Sequence, residues 1–279
     1  MTRPAAFLPT AQTQLYCVIG NPVAHSKSPV MHNRAFAETG LDAVYLAFEA
    51  GDAGAAMSAV RQLGIQGVSV TVPHKVTVME YLDEVDDRAK DVGAVNTVKN
   101  VAGRLVGRNT DGFGAVRALE DRTPLDSRRV AVVGAGGAAR AVAFVAGWRG
   151  AKVTVVNRSP DRGRSLASEA GAAFLPLAEI QDLACDVIVN CTSVGMSPHK
   201  EESPVPAAVF KEGMVAMDIV YNPLRTRFLE DAATAGCEVV DGLSMFVYQG
   251  AAQFEWWTGE LAPVEAMRQT VLDALGYPG

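Results

Sequence analysis

The sequence predicts an α/β protein of two domains, at least one of which is a doubly wound parallel sheet. Two observations predict this class. Short apolar runs alternate with amphipathic stretches from Leu15 onward, and a β-branched run at residues 130–133 enters a glycine turn that opens onto a helix of small residues. A chain of 279 residues with 49% hydrophobic residues is long enough for two domains with their own cores.

The glycine turn, GAGGAAR, has the spacing of a dinucleotide-binding motif. Gly134 allows the chain to turn, Gly136 removes a side chain that would block a pyrophosphate, and Ala139 allows close packing of helix on strand. The bare amides of this segment and the helix N-terminus favour an anionic ligand. The sequence therefore predicts a Rossmann-type domain. The pyrophosphate site is expected at the five residues Gly134, Ala135, Gly136, Gly137 and Ala138.

The end of the next predicted strand decides which dinucleotide is expected. An acidic residue for the ribose hydroxyl belongs there, but the strand at 152–156 is followed by Asn157, Arg158 and Ser159, with Arg162 one turn later. Cationic side chains suit a 2′-phosphate, which favours NADP over NAD. The alternative is that the motif is an ordinary loop and that both arginines are solvated surface charges.

The apolar runs before the glycine turn predict a first domain with its own sheet. Strands are expected at residues 15–19, 44–48, 67–70 and 95–99, and helices from about Pro29, Gly54 and Asp86. Residues 98–107 have the pattern of a hairpin with Gly103 in its turn.

A helix at 112–120 leads to a second series of strands, which forms the dinucleotide domain. These six strands, expected to be parallel, lie at 130–133, 152–156, near 173, 186–190, 214–220 and 238–240. The tail from Ser244 contains two helical patterns and no strand for them to cover, so it is expected to complete the first domain. The predicted domains are residues 1–110 with 244–279, and residues 111–243.

Composition limits the partners and the compartment. The net charge of −6 suggests neither nucleic acid nor an anionic membrane as a partner. Four cysteines without CxxC spacing favour buried thiols and no structural metal. The N-terminal segment lacks the apolar core of a secretory signal, so a cytoplasmic protein is expected. Monomer and homodimer both remain open.

The segment GNPVAHSKSP contains two serines that suit a small carboxylate. Ser28 is predicted to cap a helix with Pro29 at its first position, and the helix start offers amides to an anion. Ser26 and Ser28 add hydroxyl donors without bulk. The alternative, equally supported, is that Ser28 only caps the helix.

A lysine and an aspartate follow two predicted strands of the first domain. Thr71 and Lys75 emerge after the strand at 67–70, where open α/β sheets place their ligands, and Asp111 in NTDGFG begins the helix toward the second domain. Together Lys75 and Asp111 could hold a substrate hydroxyl and exchange its proton. The alternative is that Lys75 is an ordinary solvated charge.

Three further polar residues could contact a hydroxylated ligand. Asn96 in VGAVNT is expected to end a strand and offers a donor and an acceptor, although a local Asx turn is also common there. Tyr221 in VYNP and Gln249 in FVYQG could approach the same ligand. The four histidines have no ligand spacing, and only His74, beside Lys75, is expected near the chemistry.

Nine motifs in order resemble those of the shikimate dehydrogenase family. They are GNPVAHSKSP, VTVPHK, GAVNT, NTDGFG, GAGGAAR, NRS, CTSVGM, VYNP and WTG, and they span nearly all of residues 20–259. The resemblance implies a first domain that binds shikimate or 3-dehydroshikimate together with the tail, and a middle domain that binds NADP. It implies NADP-dependent interconversion of these two compounds.

The resemblance also implies roles for individual residues. Lys75 would be the catalytic acid/base, oriented by Asp111. Ser26 and Ser28 would hold the ring carboxylate, and the ring hydroxyls would meet Thr71, Lys75, Asn96, Asp111, Tyr221 and Gln249. Around the 2′-phosphate would lie Asn157, Arg158, Ser159 and Arg162, and near the nicotinamide Ile219, Gly242 and Met245, with Asp87 a further cofactor-side position.

Two rival functions remain beside this one. A quinate or aminoshikimate dehydrogenase would present similar groups to a polyhydroxylated ring acid. A non-catalytic protein that senses NADP would keep the nucleotide site but has no need of the Lys75 and Asp111 pair, which this sequence contains.

Overall fold

The structure is a computed structural model that describes residues 8–277. The chain forms two compact units. The first contains the described residues up to Arg108 and those from Gln253 onward, and the second spans Asn109–Ala252. Within the described residues, no helix has the length and apolarity needed to cross a membrane. Residues 1–7, which include half of the N-terminal segment discussed above, lie outside the described residues.

The first unit is built on a mixed six-stranded sheet. Its elements are β1 (Gln14–Gly20), α1 (Ser28–Thr39), β2 (Ala43–Glu49), α2 (Ala53–Gln62), β3 (Gly67–Val70), a 3₁₀ helix (Thr77–Tyr81), β4 (Glu84–Val85), α3 (Asp87–Val92), β5 (Thr97–Val101) and β6 (Arg104–Arg108). The strand order is β2-β1-β3-β5-β6-β4. Strands β1, β2 and β3 are parallel, whereas β5 runs antiparallel to both β3 and β6.

The antiparallel β5 changes which residues lie at the carboxyl end of β3. Ser69 of β3 pairs with Thr97 at the start of β5, and the amide of Val70 donates to the Asn96 carbonyl at 2.8 Å. The sequence prediction that Asn96 ends a strand was therefore wrong, because this residue precedes β5. It nevertheless lies at the predicted edge, since the first residue of an antiparallel strand lies beside the last residue of its neighbour.

The second unit is a six-stranded parallel sheet with helices. Its elements are α4 (Asp111–Glu120), β7 (Arg129–Val133), α5 (Gly137–Trp148), β8 (Lys152–Asn157), α6 (Pro160–Glu169), β9 (Ala173–Pro176), a 3₁₀ helix (Leu177–Asp182), β10 (Val187–Asn190), a 3₁₀ helix (Ala207–Val209), β11 (Val215–Asp218), α7 (Arg227–Thr234), β12 (Glu238–Val240) and the first part of α8 (Gly242–Thr258). The strand order is β12-β11-β10-β7-β8-β9, and every pair is parallel.

The connections reverse direction between β10 and β7, as in doubly wound sheets. The chain runs from β7 outward through β8 to β9, then returns to β10 on the other side of β7. Ligands of such sheets bind beyond the carboxyl ends of the strands at this switch point. The glycine turn follows β7 directly and therefore lies there.

Helix α8 contributes to both units. Gly114 of α4 approaches the backbone of its first part so closely that an added Cβ would lie 2.7 Å from the Gln249 amide nitrogen. In the first unit, the Trp257 indole donates to the Val98 carbonyl at 3.0 Å, and α9 (Val264–Ala274) contacts α1. The sequence boundary at 243/244 falls in the first turn of this helix, whereas the units divide at Ala252/Gln253 because the first turns of α8 pack on α4.

Candidate active site

Three predicted substrate residues lie at one edge of the first unit's sheet. The Thr71 amide donates to the Ile19 carbonyl at 3.0 Å, which places Thr71 beside the end of β1. The Lys75 carbonyl accepts from the Val95 amide at 2.8 Å, one residue before Asn96. Backbone hydrogen bonds therefore bring the segments that carry a hydroxyl, an ammonium and an amide side chain to the same sheet edge.

The two candidate carboxylate-binding serines lie on the loop from β1 to α1. The Ser28 amide donates to the Ser26 hydroxyl at 3.2 Å, and the Asn21 amide of the same loop donates to the Val72 carbonyl at 3.0 Å. The prediction that Ser28 caps α1 was wrong. Ser28 is its first residue, because the carbonyl of Lys27 accepts the first helical hydrogen bond, and Pro29 is consequently the second residue.

The other three candidate substrate residues belong to the second unit. Asp111 is the first residue of α4, is 6% exposed, and its amide donates to the Asn109 side chain at 3.1 Å. Tyr221 stacks on Phe246 of α8 with ring centroids 4.7 Å apart. Gln249, one turn further along α8, donates to the Phe246 carbonyl at 2.9 Å. Lys75 and Asp111 belong to different units, so their pairing stays a prediction.

The glycine turn after β7 has the backbone that close approach of an anion requires. Gly134 has a φ of +119°, and an added Cβ would lie 3.2 Å from the Cys191 carbonyl oxygen. A Cβ at Gly136 or Gly137 would meet no described atom within 4 Å, so packing does not require these glycines. Helix α5 begins at Gly137 without a side-chain cap or an acidic residue in its first turn. Its N-terminus therefore suits an anionic ligand.

The segment after β8 presents two arginines. Asn157 ends β8, its amide donates to the Ser159 carbonyl at 2.9 Å, and Ser159 precedes α6. Arg158 and Arg162 are both exposed and form no ion pair with any residue in the range 8–277. Arg140 of α5, by contrast, pairs with Glu169 at 2.8 Å. Two cations without a carboxylate partner beside the end of β8 fit a 2′-phosphate.

The predicted nicotinamide-side residues lie at the end of β11 and the start of α8. A Cβ on Gly242 would lie 2.6 Å from the Ile219 carbonyl oxygen, so glycine is required for this contact. Met245 is buried one turn later. Asp87 belongs to the first unit, where it pairs with Lys90 at 2.9 Å at the start of α3, and this ion pair lowers the pKa of Asp87.

Comparisons with known proteins identify the family to which this chain belongs. The chain matches three family models: Shikimate dehydrogenase substrate binding domain at residues 18–98, Shikimate / quinate 5-dehydrogenase at 117–221, and Shikimate 5'-dehydrogenase C-terminal domain at 242–272. It is 45% identical to the shikimate dehydrogenase (NADP(+)) of Pyrococcus abyssi over 94% of this chain and 99% of that protein. The chain belongs to the shikimate dehydrogenase family.

Solved structures of this family confirm the predicted fold class. The shikimate 5-dehydrogenase of Thermus thermophilus, in complex with NADP(H) and shikimate, has a TM-score of 0.88 and 40% identity, covering 94% of this chain and 99% of its own. The quinate dehydrogenase of Corynebacterium glutamicum, in complex with NAD, also has a TM-score of 0.88, at 31% identity and with the same coverage of both chains.

The cysteines and two of the histidines, His32 and His74, are buried. All four cysteines are buried and free. His74 bonds the Ala50 carbonyl at 2.6 Å, whereas His32 stacks on Tyr45 and has no hydrogen-bond partner for either ring nitrogen among the described residues. Within the same residues, no cluster of His, Cys, Asp or Glu is arranged to hold a metal ion.

The sequence analysis missed a buried carboxylate that joins two loops beside the nucleotide motif. Asp218, the last residue of β11, is fully buried and accepts from the Asn190 amide at 3.0 Å, the Val220 amide at 2.9 Å and the Thr226 hydroxyl at 2.7 Å. Burial raises the pKa of Asp218 to about 6 against these three hydrogen bonds. The sequence does contain a signal for this buried carboxylate, because polar residues, Asn190 and Asp218, end the buried strands β10 and β11.

Replacing Asp218 with asparagine should change the pH dependence of stability. A carboxyl whose pKa rises on folding contributes stability below about pH 4 that is lost as the pH rises through about 6. The unfolding free energy of Asp218→Asn minus that of the wild type should therefore increase by roughly 2–3 kcal/mol across this window. Chemical unfolding of both proteins at several pH values measures it.

The comparison with the wild type is needed because His32 changes the pH dependence of the unfolding free energy in the opposite direction. Burial lowers the pKa of His32 to about 3, opposed by the nearby Gln253 amide, so its contribution to stability decreases as the pH falls below about 6.5. This contribution is common to both proteins and cancels in the difference. A difference that stays constant between pH 4 and 7 would contradict the prediction for Asp218.

Proposed function

We propose that the protein is an NADP-dependent oxidoreductase that interconverts 3-dehydroshikimate and shikimate, a step of aromatic amino acid biosynthesis. The observation that carries the proposal is the gathering of Thr71, Lys75 and Asn96 at one sheet edge in a chain of this family. Four buried, free thiols are typical of a reducing compartment and support a cytoplasmic location.

Four side chains, three of the first unit and Asp111 of the second, would bind the substrate and move its proton. Lys75 donates a proton to the ketone oxygen during reduction, and its positive charge stabilises the alkoxide as it develops. Asp111 would accept a hydrogen bond from the same oxygen once it is a hydroxyl. Ser26 and Ser28 donate to the ring carboxylate.

The remaining candidates would hold the other ring hydroxyls. Thr71 and Asn96 contribute from the sheet edge of the first unit, and Tyr221 and Gln249 contribute from the second. Three of the six residues assigned to hydroxyls thus come from one sheet edge, where backbone hydrogen bonds hold the segments that carry them.

The chain's own residues fit NADP. Gly134, Ala135, Gly136, Gly137 and Ala138 would meet the pyrophosphate, since added side chains at Gly136 and Gly137 would occupy open space in front of α5. Arg158 and Arg162, with Asn157 and Ser159, would hold the 2′-phosphate. Ile219, Gly242 and Met245 would line the nicotinamide, with Asp87 as a further contact. When bound, NADP supplies hydride transfer.

A four-way assay tests the function. The purified protein is given shikimate or quinate, each with NADP or NAD, and reduction of the nicotinamide is followed by absorbance. The highest kcat/KM is expected for shikimate with NADP. Higher kcat/KM with quinate would overturn the substrate assignment, and NADP binding without turnover of either acid would favour a non-catalytic NADP sensor.

Quinate is the second candidate substrate, because one solved relative is a quinate dehydrogenase and one matching family model covers both activities. An aminoshikimate would meet the same groups and belongs in the same assay. The paired serines Ser26 and Ser28 favour shikimate. The presence of both Lys75 and Asp111 argues against a sensor, which needs neither.

Replacing Arg158 with alanine should weaken NADP selectively. Loss of one charge-assisted contact to the 2′-phosphate should raise KM for NADP roughly 10–100-fold and leave KM for NAD within about twofold. Arg164→Ala is the matched control, because Arg164 lies on α6, the helix that follows Arg158, but over the Phe174 ring at 5.5 Å. Equal losses with both dinucleotides would refute the assignment.

A further inference from the structure

Four buried polar side chains of the first unit have no role in the site described above. Tyr45, Ser69, Thr97 and Gln253 lie on β2, β3, β5 and α8, and none is more than 7% exposed. Burying hydroxyl and amide groups is costly unless they are hydrogen-bonded to one another. These four form one connected chain of hydrogen bonds that ends at Asn96.

The Asn96 carbonyl fixes the orientation of the Gln253 amide. This carbonyl oxygen can only accept, and it lies 3.3 Å from one end of the amide, which must therefore be the nitrogen Nε2. The oxygen Oε1 then faces the Ser69 hydroxyl at 2.7 Å and accepts a hydrogen bond from it. Ser69 in turn accepts from the Tyr45 hydroxyl at 2.6 Å. The Asn96 carbonyl oxygen thus sets the direction of two further hydrogen bonds, the one from Ser69 to Gln253 and the one from Tyr45 to Ser69.

The same amide sets the direction of the bond to the Asn96 side chain. Nε2 of Gln253 also donates to the Thr97 hydroxyl oxygen at 3.0 Å. The Thr97 proton is directed to Oδ1 of Asn96, at 2.7 Å. An asparagine amide whose oxygen is held by a neighbour points its nitrogen Nδ2 away from that neighbour. Asn96 is therefore oriented with Oδ1 toward Thr97, so that Nδ2, with its two donor hydrogens, is the end of the amide that does not face this hydroxyl.

We propose that Gln253, acting through Thr97, is a positioning residue. It orients the Asn96 side-chain amide so that Asn96 donates a hydrogen bond to a hydroxyl oxygen attached to the substrate's ring. A donor suits the oxygen of a ring hydroxyl, and the hydroxyl proposed for Asn96 is not the one that reacts, so one orientation serves both directions of the reaction. The inference rests on the proposed function, because it assumes that Asn96 meets the substrate. Neither Gln253 nor Thr97 needs to touch the ligand.

The test uses a pair of variants at Thr97. Valine has nearly the shape of threonine but can neither accept from Gln253 nor donate to Asn96, so Thr97→Val should raise KM for shikimate, and its dissociation constant, roughly 10-fold. KM for NADP should stay within about twofold. Thr97→Ser keeps the hydroxyl and should bring KM for shikimate back to within about threefold of the wild type.

A second pair separates positioning from stability. Gln253→Met has similar length and no amide, and should give the same rise in KM for shikimate as Thr97→Val. Ser69→Ala leaves both bonds from Nε2 of Gln253 in place but removes the partner of Oε1. It should therefore lower the melting temperature without changing KM for shikimate. A merely structural network predicts that KM changes with none of these variants.

The outcomes distinguish this inference from the proposed function. Unchanged KM for shikimate in both Thr97→Val and Gln253→Met, with an active wild type, overturns the inference alone, as does failure of Thr97→Ser to restore KM. A wild type without shikimate-dependent turnover overturns the proposed function and the inference with it. If Thr97→Val does not fold, Gln253→Met against Ser69→Ala decides the matter.

Discussion

Replacing Lys75 with alanine is expected to lower kcat for shikimate oxidation by roughly 10²- to 10⁴-fold, the usual contribution of a positioned acid or base. KM for shikimate should change less, because the lysine acts mainly on the oxygen that gains or loses the proton. The backbone of Lys75 is bonded to Val95 at the sheet edge, so truncating its side chain leaves that edge intact. Steady-state kinetics with saturating NADP measure the effect.

A second substitution separates proton transfer from charge. Arginine keeps the positive charge but does not release its proton near neutral pH, so Lys75→Arg should be nearly as slow as Lys75→Ala. Lys152→Ala is the control, because Lys152 is exposed at the first residue of β8, the end opposite the nucleotide motif. Turnover within tenfold of the wild type in Lys75→Ala would remove Lys75 from the acid/base role.

The second large effect is expected at Gly136. Its φ of −87° is accessible to any residue, and an added Cβ would meet nothing described within 4 Å, so Gly136→Val should fold normally. The valine side chain would nevertheless stand before the N-terminus of α5, where the pyrophosphate is proposed to bind. Loss of two or more charge-assisted bonds to backbone amides should raise the dissociation constant of NADP roughly 100-fold or more.

Calorimetric titration of NADP and thermal unfolding together test this expectation. Gly147→Val is the matched control, since Gly147 lies near the other end of α5 and also has open space around it, and its NADP affinity should be unchanged. Gly134→Ala should behave differently from both. Its φ of +119° strains any side chain, so a lower melting temperature is expected. Normal NADP affinity in Gly136→Val would exclude this pyrophosphate site.

Much of the fold could be predicted because its signals are local. The β-branched run of β7 and the glycine turn after it are adjacent in sequence, and the hairpin of β5 and β6 is marked by Gly103. The two-residue strand β4 was missed, because only its pairing with Val106 and Gly107 across the sheet makes it a strand. Such pairing leaves no periodic pattern in the sequence.

The site residues likewise divide into those that a local motif predicts and those that only the fold brings together. Thr71, Lys75 and Asn96 could be proposed because each stands in a short motif near a strand end. The hydrogen bond from Ser69 to Gln253 joins residues 184 positions apart, and the one from Asn190 to Asp218 joins residues of two different strands. Polar residues of these types are common on surfaces, and only the folded chain reveals that these are buried and bonded.

The hairpin turn of the first unit has a practical use. Because β5 runs antiparallel to β3, Ala102 and Gly103 lie at the far margin of the sheet from Asn96, and both have positive φ values, 52° and 88°. Two-residue connections with this geometry join strands without entering the core. A fluorescent tag or an affinity peptide inserted between these two residues would leave the proposed substrate site undisturbed. Such an insertion would allow the enzyme to be immobilised in a chosen orientation.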